Sequence, residues 1–300
     1  MWFKNLILYR LKSWNVNAEV LEERLGKLAL QPCAGLDMQS RGWLPPKGDN
    51  EPLVHSFGPQ LLISLGVEKK LLPATVINQF AKAKAADIEE QQGYKPGRKQ
   101  MKEIKEQVTD ELLPRAFAIR RKTYAWIDPI GGWMVVDAAS TGKADEILEM
   151  LHKTVDGIAF GPVITTTSPV AAMTGWLSGN PLPAGFTIDQ DCELRSRGES
   201  GATIRYVRHT LEEEEVTKHI RGGKEATRLG LTWADRISFV LHENLQLKRI
   251  APLDLIKDDM AGQEQDDGFD TDFVIMSGEL RKMIPAVLEL LGGEAQGLSA

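Results

Sequence analysis

"YKPGRKQMKEIKEQVTDELLPRAFAIRRK", residues 94–122, is where the hydrophobic pattern of this chain changes period, and that change decides the fold class. From Arg98 to Leu113 the apolar residues Met101, Ile104, Val108 and Leu112 recur at three- and four-residue intervals, which predicts a helix with one apolar face. After Pro114 the period shortens: "TYAWID" and "GWMVVDA" flank Pro129, Ile130 and Gly131, the pattern of a β-hairpin. Upstream, Pro73 sits at a first helical position, and Val76, Ile77, Phe80 and Ile88 keep helical spacing until Gly93, Pro96 and Gly97 stop it. The two helices read as a helical hairpin, residues 75–111, protruding from a strand-rich chain.

Outward from this segment, residues 2–11 alternate as a strand, and "NAEVLEERLGKLAL" places Val20 or Leu21, Leu25 and Leu28 on one helical face. Gly35, Gly42, Pro45, Pro46 and Gly48 read as loop, and "QLLISLG" (60–66) as a short buried strand. "STGKADEILEMLHKTV" reads as a helix capped by Ser140 or Thr141. Strand signals recur at "IAFGPVIT", "ATIRYVRHTL", "EATRLGLTW", "RISFVLH", "LQLKRI" and "DFVIMSG", with helices expected at 168–178, 212–221 and 278–291. Strands outnumber helices without alternating with them, so the class is α+β, with mixed, mainly antiparallel sheets. The expected division is a central region in two parts (1–74 and 112–180), the helical hairpin between them, and a strand-rich base with a C-terminal helix (181–300).

The 300 residues are 42% apolar and 26% charged, the balance of a globular protein. No run approaches the length of a membrane span, and "MWFKNLILYRLKSW" is broken by Lys4, Arg10 and Lys12, so it reads as a strand of the mature protein. Cys33 and Cys192 have no C-x-x-C partners, which suggests neither a disulfide framework nor a zinc site and makes the cytoplasm the default compartment. No dinucleotide or phosphate-loop motif is present, and Ser140 with Lys143 matches S-x-x-K without its companion motifs. The five histidines form no metal-binding pattern, and "QEQDDGFDTDF" (263–273) reads as a solvated acidic turn. No catalytic residue, cofactor or metal is expected.

Charge is the informative signal. The net charge is −6, yet residues 94–122 hold nine Lys or Arg against four Asp or Glu. Arg98, Lys99, Lys102 and Lys105 fall about one turn apart on the predicted helix, away from its apolar face. On charge alone such a stripe is more often a solvated helix face, with Glu103 and Glu106 as local partners. Further clusters follow at Arg115, Arg120, Arg121 and Lys122, and at Arg205, Arg208, Lys218, Arg221 and Lys224. Together they would form a phosphate-binding track for duplex DNA, salt-dependent and indifferent to sequence. Phe117, between Arg115 and Arg120, reads either as a core residue at a sheet edge or as an exposed anchor in a subunit contact.

Several stretches, "WFKNLILYRL", "GWLPP", "LLPRAF", "WID", "FDTDFVIMSGEL" and "LGGEAQ", occur in an order that resembles the RdgC family across nearly the whole chain. The resemblance implies a nucleoid-associated, non-enzymatic protein that closes a ring of two subunits, binds duplex DNA and restrains the RecA recombinase; single-stranded DNA is the second candidate partner. It implies a ring contact at Phe117 and DNA contacts at Arg208 and His209, where the family pattern has Lys and Gln. The alternative function is a protein-interaction module acting directly on the recombinase through the acidic C-terminal region. A third possibility is a nuclease using the carboxylates of residues 254–272.

Overall fold

β1 (Asn5–Ser13) is the strand on which both halves of the sheet are built. Its successive side chains enter different cores, Leu6 and Leu8 one, Ile7 and Tyr9 the other, as the two-residue period of a strand requires. The structure is a computed structural model and describes residues 1–198, 201–261 and 268–295.

In chain order there follow α1 (Ala18–Gly26), β2 (Gln39–Leu44), β3 (Val54–Phe57), β4 (Gln60–Lys70), α2 (Ala74–Gln92) and α3 (Arg98–Leu112). A 3-10 turn, Leu113–Arg115, leads into β5 (Ala118–Asp128), β6 (Trp133–Asp137), α4 (Thr141–Thr154), β7 (Ala159–Pro162) and α5 (Pro169–Leu177). The remainder is β8 (Phe186–Ser196), β9 (Thr203–Tyr206), α6 (Glu213–Arg221), β10 (Lys224–Trp233), β11 (Ile237–His242), β12 (Leu247–Pro252), α7 (Asp254–Ala261) and α8 (Gly268–Leu290). The described strands form one antiparallel sheet in the order β2-β4-β5-β6-β1-β12-β11-β10-β8-β9, with β3 beside β4 and β7 beside β1. The class is α+β with a mainly antiparallel sheet, as the sequence implies.

Three cores hold these elements. α5, α6 and α8 bury Met173, Val216, Met276 and Leu280 against Leu229, Leu231, Phe239 and Leu241 of the β10–β11 hairpin, and this core reaches Leu62 and Trp126. α1 and α4 bury Leu21, Leu25, Ile147 and Leu151 on the opposite face, against Ile63, Ala125 and Val136. A small third core joins α2 to α3 through Ala81, Ala85, Ile104 and Val108.

Three sequence expectations change, and three elements enter that the sequence did not signal. "DFVIMSG" is not a strand but part of α8, whose buried residues Phe273, Met276, Leu280, Ile284, Val287 and Leu288 keep helical spacing that the β-branched Val274 and Ile275 obscure. The region around Gly42 is not all loop. Gly42 lies inside β2 because a Cβ there would sit 2.5 Å from Leu30 Cα, a close backbone approach that only glycine permits. The strand expected through "ATIRYVRHTL" ends at Tyr206. β8, absent from the sequence reading, loses its alternation because Asp189, Gln190 and Asp191 bulge opposite Gly230. β3 and α7 were likewise unread.

Candidate nucleic-acid interface

α3 buries Ile104 and Val108 and leaves Arg98, Lys99, Lys102 and Lys105 exposed, so the predicted cationic stripe exists as a surface. Lys102 reaches Glu106 at 3.5 Å; both are solvent-exposed, and such a pair contributes little. Among the described residues Arg98, Lys99 and Lys105 have no carboxylate within ion-pair distance. The first turn of α3 holds no acidic residue, and cations at a helix N-terminus oppose its dipole. A local stability rule is therefore broken where the charge is densest.

At the base of α2 and α3, β4 and β5 add a second group. Arg115 is exposed on the 3-10 turn, and Phe117 is 85% exposed, which removes the core reading of that residue. Its backbone is fixed by Leu71 N–H donating to Phe117 O at 2.7 Å, extending the register that pairs Lys69 with Ile119. Arg121, opposite Val67, is exposed without an ion-pair partner among the described residues, and the exposed Lys69, overlooked in the sequence, stands in the neighbouring row.

The structure gives two predicted contacts of this group partners within the fold, although the Arg120 side chain stays 42% exposed. Arg120 donates to Glu68 Oε2 at 2.9 Å, while the Cys33 N–H donates to Glu68 Oε1 at 2.8 Å. The Cys33 N–H and then Arg120 hold the Glu68 carboxyl below its usual pKa. Lys122 donates to Pro45 O at 2.7 Å. Both cations are spent inside the fold.

The third group lies at the other end of the sheet. Arg205 Nε donates to Glu193 at 2.9 Å, and Glu193 also accepts from Thr227 Oγ1 at 2.9 Å and lies 3.4 Å from Arg228. Burial opposes the charge on Glu193, but the hydrogen bonds from Arg205 and Thr227 and the charges of Arg228 and Arg205 outweigh it and lower its pKa. Arg205 is thus another cation already paired. Beyond the strand, Arg208 has φ of 50°, so the expected alternation of Arg205 and Val207 against Tyr206 and Arg208 does not hold past Tyr206. Asp191 makes this turn: its Oδ1 accepts the Arg208 N–H at 2.9 Å and its Oδ2 accepts Arg249 Nη1 at 2.7 Å. Arg208 and Arg249 are both left-handed at the backbone, and one bulge carboxylate holds both.

His209 N–H donates to Gln190 O at 3.2 Å, and its Nδ1 lies 2.8 Å from Thr210 O. The exposed turn 207–209 therefore rests on the β8 bulge, which packs so tightly over Gly230 that a Cβ there would lie 3.1 Å from Asp189 Cβ. Arg221 ends α6 and Lys224 opens β10. A cation in the last turn suits the helix dipole, an ordinary structural reason for Arg221.

β5 and β9 stand seven places apart in the sheet order, roughly 30 Å at strand spacing. One chain thus presents two separated groups of cations rather than one continuous track. Asp191, Arg228, Lys248 and Arg249 were missed in the sequence, although the alternation in "EATRLGLTW" could have flagged Arg228.

Of the carboxylates suggested for a nuclease, Asp254 pairs with Lys257 at 3.0 Å, Asp270 with Lys47 at 2.8 Å, and Asp272 with the Met1 amine. Residues 262–267, which carry most of the acidic turn, lie outside the described residues. Among the described residues no group of three metal-ligating side chains gathers, and no helix is long and apolar enough to cross a membrane. Ser140 is the N-cap of α4, and Lys143 binds Glu146 at 2.8 Å rather than any serine.

Comparison with known proteins gives one consistent result. A family model described as "Putative exonuclease, RdgC" matches residues 1–294. The chain is similar to a protein named recombination-associated protein RdgC from Herminiimonas arsenicoxydans, at 57% identity over 98% of this chain and 99% of that one. Like-named proteins of Janthinobacterium (56% identity, 99% of each chain) and Bordetella pertussis (54%, 98% and 99%) match as fully.

Proposed function

This chain belongs to the RdgC family, and on that premise we propose that it binds duplex DNA without sequence preference as a homodimeric ring and restrains RecA-dependent recombination by occupying the DNA. The observation that carries the reading is the set of exposed cations without carboxylate partners among the described residues: Arg98, Lys99 and Lys105 on α3, and Arg115 and Arg121 at its base. Arg208 and His209, on the turn held by Asp191, supply the second contact region, with Arg221 and Lys224 following at the end of α6 and the start of β10. Lys102 contributes through an exposed pair that a phosphate can displace, whereas Arg120, Lys122 and Arg205 act mainly within the fold.

In this reading α2 and α3 form a helical hairpin arm protruding from a centre built of residues 1–74 and 112–180, and residues 181–300 form the base. A two-fold ring needs two self-complementary contacts per chain. Phe117 supports one of them, because a large aromatic left in water beside the exposed Leu71 and Ile119 is a costly surface that a second copy can cover. The enclosed cations and acidic exterior would keep DNA inside, in the cytoplasm and on the nucleoid. Occupancy of DNA requires no catalysis, so the protein acts here as a binder rather than an exonuclease.

A salt series on duplex DNA tests the electrostatic core of the proposal. Each phosphate contact contributes about −0.9 to the slope of log affinity against log salt, so Lys99→Glu, Lys105→Glu and Arg121→Glu together should flatten it by two or more. An unchanged slope refutes the interface. If restraint of the recombinase survives the loss of DNA affinity, direct contact with the recombinase replaces DNA occupancy as the mechanism.

A further inference from the structure

β8 to β12 are covered on one face by α5, α6 and α8, and the other face carries polar side chains in place of an apolar core. Across it runs a groove of about 310 Å³, walled by Glu193 and Asp191 of β8, Arg205 of β9, Arg228 of β10, His242 of β11, and Lys248 and Arg249 of β12. Four permanent cations face two carboxylates there, an excess of two positive charges. The guanidinium groups are not exhausted by their partners. Among the described residues Arg205 spends Nε and Nη2 on Glu193, Arg228 makes one contact at 3.4 Å, and Arg249 spends Nη1 alone, out of five N–H donors each. Lys248 donates to Ala139 O at 2.9 Å from an exposed position.

We propose that this groove binds a phosphomonoester, the terminal phosphate of a nucleotide or of a DNA end. A phosphomonoester carries close to two negative charges at neutral pH, which matches the excess, whereas a backbone phosphodiester carries one. Arginine forks suit tetrahedral phosphate oxygens. The volume is that of a small-ligand site and accommodates one nucleotide, not a duplex. His242 adds no charge, because burial and then Lys248 and Arg228 push its pKa down to about 4 against the opposite influence of Glu193 and Glu243. Affinity should therefore rise from pH 5 to 7.5 with the second ionisation of the ligand, near pH 6, rather than fall as it would at a histidinium site. The DNA-end form rests on the duplex-binding reading above; binding of a free phosphomonoester does not.

The test uses the full chain with deoxyadenosine 5′-monophosphate, deoxyadenosine, and one linear duplex prepared with 5′-phosphate or 5′-hydroxyl ends. The monophosphate should raise the melting temperature and deoxyadenosine should not. Arg228→Gln and Lys248→Gln should each weaken the monophosphate by about tenfold, the worth of one charge-assisted hydrogen bond. Lys248→Gln serves if Arg228→Gln fails to fold, since the Lys248 ammonium is exposed. Preference for phosphorylated ends that disappears in the variants identifies DNA ends as the source, and monophosphate binding without such preference identifies a free nucleotide. A protein that binds the monophosphate but no duplex refutes the ring reading and leaves the groove standing. No discrimination by the 5′-phosphate in either format, or binding undiminished in both variants, overturns the proposal.

Discussion

Phe117→Ser separates subunit contact from folding, because the side chain lies in water in the single chain. With 85% of the residue exposed, its replacement removes almost no intrachain packing, and fold stability should change by less than ~0.5 kcal/mol. Burying it against a second copy is worth about 2 kcal/mol, from the 1.5–3 kcal/mol gained when a phenylalanine leaves water. A two-fold contact uses each residue twice, so the contact loses ~4 kcal/mol, close to a thousandfold in its dissociation constant. The neighbouring Leu71 and Ile119, 46% and 40% exposed, would keep part of the surface, so the loss should stop short of abolition. Sedimentation across a concentration series reads the contact, retention on closed circular DNA after a salt challenge reads ring closure, and a thermal melt reads the fold. Unchanged sedimentation with unchanged retention refutes the assignment. A melting temperature lowered by many degrees would instead show that Phe117 packs within its own chain.

Two further outcomes follow from the local geometry. Gly42→Ala should cost ~2–4 kcal/mol in chemical denaturation, since its Cβ would meet the Leu30 backbone at 2.5 Å, whereas Gly142→Ala in α4 meets nothing within 4 Å and should be neutral or stabilise by up to ~1 kcal/mol; equal effects would mean that the β2 approach is not tight. Burial, then Lys248 and Arg228, lower the His242 pKa from 6.5 to about 4 in the fold, so between those pH values the unfolded chain binds the extra proton and acidification destabilises the native state, by less than the full shift because solvent screens this half-buried ring. Denaturant midpoints at pH 7 and 4.5 should therefore fall less for His242→Gln than for the parent chain, and an identical fall would place the acid sensitivity elsewhere.

The α2 and α3 helices were legible because their signal is short-range: an apolar residue every three or four positions and a glycine or proline at each end. The same holds for the β5–β6 hairpin, for the strands β10 and β11, and for the cationic face of α3. Where the reading failed, the deciding partner lay far along the chain. Gly42 looks like a loop residue until Leu30 is placed against it, and Asp189 to Asp191 look like a break until Gly230 lies beneath them. α8 misled for another reason, since two half-buried β-branched residues mimic a strand within a helix whose period shows only over five turns.

Charge divides in the same way. Sequence alone determined where the cations concentrate, that the chain is α+β, and that Phe117 stands among arginines in "LLPRAF". Tertiary structure decided which of those cations remain available: Arg120 is taken by Glu68, 52 residues away, and Arg205 by Glu193 across a strand pair, while Arg98, Lys99, Lys105 and Arg121 find no carboxylate among the described residues. It also placed Arg228, Lys248 and Arg249 around one groove, although no single stretch of sequence holds them together. Periodicity and composition are properties of neighbours in the chain, whereas ion pairing and exposure are properties of neighbours in space. Only folding makes the second set definite.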